Sequence, residues 1–419
     1  MSAGLLSPSA ADLGGGEAAA QLYDGSGFRL VREPLPSLGP GEALVQVELA
    51  TLCGSDLHTL AGHRSTPLPT VLGHEAVGRV VALGAPLAGA GGAAGAARSS
   101  PLPDGAGSPS ARPGGPGAGP GTASSGAVVT GAVASGALGA YAPPIAVGDR
   151  VTWTVAASCG ECDRCRGGLE QKCRSLLKYG HEAVTERWRL NGGLGTHVHL
   201  LAGTTLVRVA EELPAALVAP ANCATATVAG AARRVGLGPG DAVVVVGCGL
   251  LGLTAVAYAR WLGAASVVAV DVDAARRASA LEFGADRVCA PSELASVAAA
   301  RGATVVLELS GHPNGVEQAV SVADVGARVA LIGSVSEGAT TVILDPAVIV
   351  RRMLTVVGSH NYGAEDLLGA VDFLEWVGAD AALSSAFTRA VSPAFALADL
   401  EAALAAAKGG RWARVALRP

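Results

Sequence analysis

The sequence predicts an α/β protein of two units, a β-rich one followed by a doubly wound parallel sheet. Three observations carry that expectation. With 419 residues the chain exceeds the ~250–300 at which a single hydrophobic core stops growing. Short strand patterns separated by turn signals occupy its first part. After Ala224 the rhythm becomes strand, helix, strand, helix, the mark of parallel strands joined by crossover helices.

Taken in order, the first 20 residues are rich in Ala, Gly and Ser and read as a loose tail. Between 29 and 82, runs such as Ala43-Leu-Val-Gln-Val-Glu-Leu49 and Val77-Gly-Arg-Val-Val-Ala-Leu83 read as strands, with turns such as Leu38-Gly-Pro-Gly41. A rigid scaffold of this kind carries its functional side chains on loops. Residues 84–146 differ: Arg98, Asp104 and Arg112 are their only charged side chains, and Gly, Ala, Pro and Ser dominate. So little bulky apolar material cannot offset the entropy of ordering, and we expect a disordered insertion. Strands are then predicted at 242–246, 266–270, 304–309 and 327–332, with helices at 250–262, 274–283 and 315–323. Helices at 367–376 and 397–407 and a strand at 413–417 suggest a return to the first unit. The expected division is 20–223, 224–358 and 359–419.

Bulk properties exclude several function classes. A net charge of -5 and a pI near 5.9 offer no basic face to nucleic acid. Residues 242–259 carry no charge over 18 positions, a length at which a membrane span is a candidate. Three glycines and a Val-Val-Val-Val run favour a buried strand turning into a helix instead, so no membrane partner is expected. Four of the eight cysteines crowd between 159 and 173, and no charged-then-apolar leader opens the chain. The expected compartment is reducing and cytoplasmic.

The chemistry-bearing residues come in two cysteine sets. Cys53-Gly-Ser-Asp-Leu-His58, Gly73-His74-Glu75 and Cys223 supply thiolates, an imidazole and a carboxylate, the donor types that zinc selects. Cys53, His74 and Cys223 would cancel the metal's charge and leave a fourth position open, the feature that separates catalytic from structural zinc. Glu75 is a supporting group or a competing ligand. Cys159-Gly-Glu-Cys162-Asp-Arg-Cys165, with Cys173, is a closed four-thiolate set of the structural kind. Two zinc ions per chain are therefore expected.

Gly247-Cys-Gly249-Leu250-Leu251-Gly252 follows a valine-rich strand and opens a helix, the context a dinucleotide pyrophosphate requires. Amides of the first helical turn, including Leu250 and Leu251, face the phosphates with positive partial charge. Asp271 ends the next strand 19 residues after Gly252 and suits the ribose hydroxyls. NAD is thus favoured over NADP, with Arg276 placed to cover the same ribose, although Arg276 and Arg277 also offer charge to a 2′-phosphate.

Together these residues resemble the zinc-dependent medium-chain alcohol dehydrogenases over residues 25–83 and 147–419. The resemblance implies a GroES-like β-rich catalytic domain and a Rossmann domain, with the active site between them. It implies Cys53, His74 and Cys223 as catalytic-zinc ligands and a linker helix from Cys223 whose Thr227 meets the cofactor. It implies a proton relay from Ser55, through the nicotinamide ribose, to His58 and solvent. A hydroxyl both donates and accepts, and imidazole titrates near neutrality. A homodimer or homotetramer and a small alcohol or aldehyde substrate are implied as well.

Asp149-Arg-Val-Thr-Trp153, Leu176-Leu-Lys-Tyr-Gly-His181 and Gly358-Ser-His-Asn-Tyr362 resemble a subgroup proposed to act in phosphonate metabolism. His63, Arg64, Lys178 and His181 are available to an anionic substrate. Two other functions remain open at this stage: a zinc-free quinone or enoyl reductase of the same fold, and a non-enzymatic NAD-binding protein.

Overall fold

A ten-residue strand, Ala43–Leu52, organises the first unit, because its near-continuous apolar run is buried on both faces. The computed structural model describes residues 16–86, 144–297, 302–335 and 341–419. Around that strand a mostly antiparallel sheet runs in the order Leu206–Arg208, Arg150–Trp153, Glu75–Leu83, Ala43–Leu52, Val415–Arg418, Phe395–Ala396. His197–Leu200 also pairs with the central strand. A smaller sheet joins Phe28–Pro34, Glu17–Tyr23 and Thr70–Val71.

The expected loose tail is corrected at its end. Glu17–Tyr23 is a strand, paired antiparallel with Phe28–Pro34 over its whole length. Its alanines hid it, since small side chains carry little strand signal, yet Ala18 and Ala20 are fully buried. Residues 1–15 and most of the expected 84–146 insertion lie outside the described residues.

Residues 242–259 divide into the strand Ala242–Val246 and the helix Leu250–Trp261, as the glycines require. That strand lies third in a six-stranded parallel sheet: Arg287–Cys289, Ser266–Val270, Ala242–Val246, Ala303–Glu308, Ala323–Leu331, Thr355–Gly358. Chain order reverses between Ala242–Val246 and Ala303–Glu308, which opens a crevice at the carboxyl ends of these strands. The helical stretch Ala215–Arg234 is long and apolar enough to cross a membrane, but 78% of its best window is buried inside the protein.

One core joins the two units. Leu49 and Val77 of the first sheet, Leu217 and Val228 of the linking helices, and Val245 and Leu253 of the second unit share it. Helices Ala364–Ala379 and Ala381–Arg389 contribute Phe373 and Phe387, and the former packs on Ala226–Arg234. Only then does the chain rejoin the first sheet, through Phe395–Ala396 and Val415–Arg418.

Candidate functional site

Three segments bring the mixed donor set together. Cys53 directly follows the central strand and caps the helix Gly54–Leu60. The helix replaces an expected loop because Asp56, at its third position, accepts the Cys53 N–H at 2.8 Å. His74 precedes the strand Glu75–Leu83, and Cys223 sits on a π-helical turn, Ala221–Thr225, leading into Ala226–Arg234. One donor atom from each of Cys53, His74, Glu75 and Cys223 lies within 4.8 Å of every other. The two sulfurs are 3.9 Å apart. Ligands at ~2.3 Å from a tetrahedral zinc stand ~3.8 Å apart, so these side chains fit that ion.

The surrounding charges suit a cation. The contact between the two sulfurs holds the Cys53 thiol well below its ordinary value and pushes Cys223 well above it, burial adding to the rise at Cys223. Burial opposes protonation of His74, but the Asp56 carboxylate and Cys53 raise its pKa to about 10. Burial pushes Glu75 up to about 7 against the pull of Arg414. A divalent cation among these donors favours both thiolates and a neutral imidazole instead. The buried Asp56 Oδ1 and His74 Nδ1 stand 3.6 Å apart and lack hydrogen-bond partners.

Glu75 faces Arg414 rather than open space. Arg414 Nε donates to both Glu75 oxygens at 2.8 and 2.9 Å, and its Nη2 lies 3.6 Å from Cys53 Sγ. Thr51 donates to Glu75 at 2.6 Å. Sequence reading missed Arg414, Asp56 as a partner of His74, and Asn222, whose Oδ1 accepts the Ala76 N–H at 3.3 Å. The capping position of Asp56 was the one local signal available.

Ser55 Oγ lies 3.5 Å from His74 Nε2, beside the donor set. His58, one helical turn on, is exposed, with its ring 5.9 Å from His63. The His181 ring lies 5.0 Å from that of His74, and both of its nitrogens are buried without partners. Lys178 is half-buried nearby; burial and the charge of Arg64 lower its pKa to about 8, against the raising influence of Cys223, Cys53 and Asp56.

The four-cysteine lobe is tight and closer to solvent. Sulfur separations are 3.4 Å for Cys159–Cys173, 3.5 Å for Cys162–Cys165, and 4.0 Å for Cys159–Cys165 and Cys162–Cys173. These again bracket the edge of a zinc tetrahedron. No open position remains among four thiols.

At the glycine turn, backbone geometry matches a phosphate cradle. Gly247 has φ +96°, and a Cβ at Gly252 would stand 1.8 Å from the Gly247 carbonyl oxygen. A Cβ on Gly249 would meet nothing within 4 Å, so open space faces the first turn of Leu250–Trp261, where Leu250 and Leu251 lie. Asp271 Oδ2 accepts the Cys248 N–H at 2.7 Å and Oδ1 the Asp273 N–H at 2.9 Å. That fixes a carboxylate at the crevice. Arg276 is exposed beside it, and Arg277 instead donates to the carbonyls of Asp271 and Val272. Thr227, four residues past Cys223, is half-buried on the linking helix.

Comparison with known proteins agrees with the fold. Residues 251–376 match the family described as zinc-binding dehydrogenase, and 39–95 the alcohol dehydrogenase GroES-like domain. The chain is 28% identical over 352 residues to the "Probable alcohol dehydrogenase adh" of Mycobacterium tuberculosis, covering 81% of this chain and 82% of that protein. An alcohol dehydrogenase from Thermotoga maritima superposes with a TM-score of 0.77 at 21% identity, over 97% of this chain and 100% of that one. A Sinorhizobium meliloti 1021 protein solved bound to NADP has a TM-score of 0.72 at 22% identity, over 96% and 100%.

Proposed function

Because the chain belongs to the zinc-dependent medium-chain alcohol dehydrogenase family, oxidoreductases that act on CH–OH groups with zinc and a nicotinamide cofactor, we propose a specific assignment of its residues. It interconverts a primary or secondary alcohol and its carbonyl compound, with Cys53, His74 and Cys223 holding the catalytic zinc. The observation that carries this reading is the 3.9 Å approach of two thiols 170 residues apart, beside a buried imidazole.

When bound, zinc supplies the Lewis acidity that lowers the pKa of a substrate hydroxyl, and the nicotinamide supplies the hydride carrier. The protein's own groups do the rest. Ser55 takes the hydroxyl proton, since its Oγ stands beside the donor set and both donates and accepts. His58, exposed on the same helix, is the outlet to water. Asp56 orients His74, and Arg414 keeps the buried Glu75 carboxylate paired behind Cys53. The lobe at Cys159, Cys162, Cys165 and Cys173 holds a second, structural zinc.

NAD is the preferred cofactor: the Asp271 carboxylate at the end of Ser266–Val270 receives ribose hydroxyls and repels a 2′-phosphate. Within the alcohol class, a narrower reading is an alcohol bearing an anionic group such as a phosphonate, supported by Arg64 and Lys178 near His181, whose ring lies 5.0 Å from that of His74. Burial holds His181 well below its ordinary pKa, so it would meet an anion as a neutral donor. The chain assembles as a homodimer or homotetramer; Val350 and Met353, exposed just ahead of the edge strand Thr355–Gly358, are apolar surface open to such contact. None of the eight cysteines is in a disulfide, which suits a reducing, cytoplasmic setting.

The test is NAD⁺ reduction over neutral and phosphonate-bearing alcohols, with metal content measured on the same sample. Turnover should stop with phenanthroline and return with zinc. Undiminished turnover after the catalytic metal is stripped supports a zinc-free reductase; cofactor binding without turnover of any alcohol supports a non-enzymatic protein.

A further inference from the structure

The four-thiol lobe and the mixed donor set touch the same short segment of chain. Lys172 of the lobe bonds His360 Nδ1, and Glu170 Oε1 accepts the Ala364 N–H. Between those two anchors lies Tyr362, buried to 4% exposure. Its hydroxyl accepts the Val155 N–H at 3.0 Å and donates to the carbonyl of Asn222. Asn222 precedes Cys223 on the π-helical turn, and its side chain ties that turn to Ala76, two residues beyond His74.

A π-helical turn widens the helical spacing by one residue, and such turns recur at functional sites. Here the turn carries Cys223. Asn222 is fully buried, so no water reaches its carbonyl, and the Tyr362 hydroxyl donates to it from outside the turn. We infer that Tyr362 is the positioning residue that sets Cys223 against Cys53 and His74, and that the lobe acts on the mixed donor set through it. The inference rests on the proposed ligand role of Cys223. It makes the lobe more than a local staple, since its folding fixes both ends of the segment that holds Tyr362.

The experiment uses the full chain with zinc retained in the lobe and Co²⁺ titrated into the other centre, for wild type, Tyr362→Phe and Glu170→Ala. Tyr362→Phe should weaken Co²⁺ binding by about 10–100-fold and shift the visible d–d bands, while lobe zinc stays at one per chain. Glu170→Ala should move both readouts in the same direction by less. Wild-type bands and affinity in both variants overturn the inference, even if thermal stability falls. If Tyr362→Phe does not fold, Glu170→Ala decides alone, and an unchanged spectrum there overturns the inference. A wild-type chain that takes up no Co²⁺ outside the lobe sinks the ligand assignment itself; a wild-type site indifferent to both changes sinks only the coupling.

Discussion

The two thiol clusters each stand beside an arginine–carboxylate pair, and the pairs differ in almost every respect. In the lobe, Arg174 Nε meets Asp163 Oδ1 at 2.6 Å, with both side chains more than 60% exposed. At the mixed donor set, Arg414 Nε meets Glu75 at 2.8 Å, with the two at 8% and 0%. The lobe pair spans 11 residues; the buried one spans 339. Water screens the first, whereas nothing but protein compensates the second. A closed set of four thiols tolerates a solvent-exposed ion pair beside it. The mixed donor set is dry and its charges are balanced, and the fold supplies that surrounding from distant segments.

Four changes test that contrast, from the largest expected effect down. Cys223→Ser should lower kcat/KM by on the order of 10³ or more and reduce bound zinc from two per chain to one. Steady-state kinetics with metal analysis measure it, and full activity with one zinc refutes the assignment. Arg414→Met leaves the Glu75 carboxylate buried and unpaired, so urea unfolding should show about 3–5 kcal/mol less stability.

A smaller effect concerns pH. The Lys178 ammonium, its pKa lowered to about 8 chiefly by burial and then by Arg64, loses its charge as pH rises through that value. KM for a phosphonate-bearing alcohol should therefore climb roughly tenfold between pH 7 and 9.5, while KM for a neutral alcohol stays level. Lys178→Met should abolish the difference between the two profiles. Smallest of all, Arg174→Met on the lobe should leave the denaturation midpoint, zinc content and kinetics at wild-type values. A large loss there would erase the distinction between the two regions.

Much of the molecule is legible along the chain because its cause is local. The strand Ala242–Val246 and the helix after it follow from four valines, three glycines and an uncharged run. The four-thiol lobe follows from cysteines within 15 positions. Glu17–Tyr23 escaped, because alanine is indifferent between tail and strand until a partner buries it. The helix at Ser55 and His58 escaped too, although Asp56 at a capping position announced it.

By itself, then, the amino-acid order determined the donor types, the glycine cradle, the acidic residue at the end of the second parallel strand, and the alternation that builds the parallel sheet. Tertiary structure alone decided that Arg414 would lie behind Cys53, that Asn222 would bridge to Ala76, and that Tyr362 would cap the turn of Cys223. The physical reason is range. Periodicity and spacing report interactions within a few residues, whereas the compensation of a buried charge or carbonyl depends on whichever segment packing brings alongside.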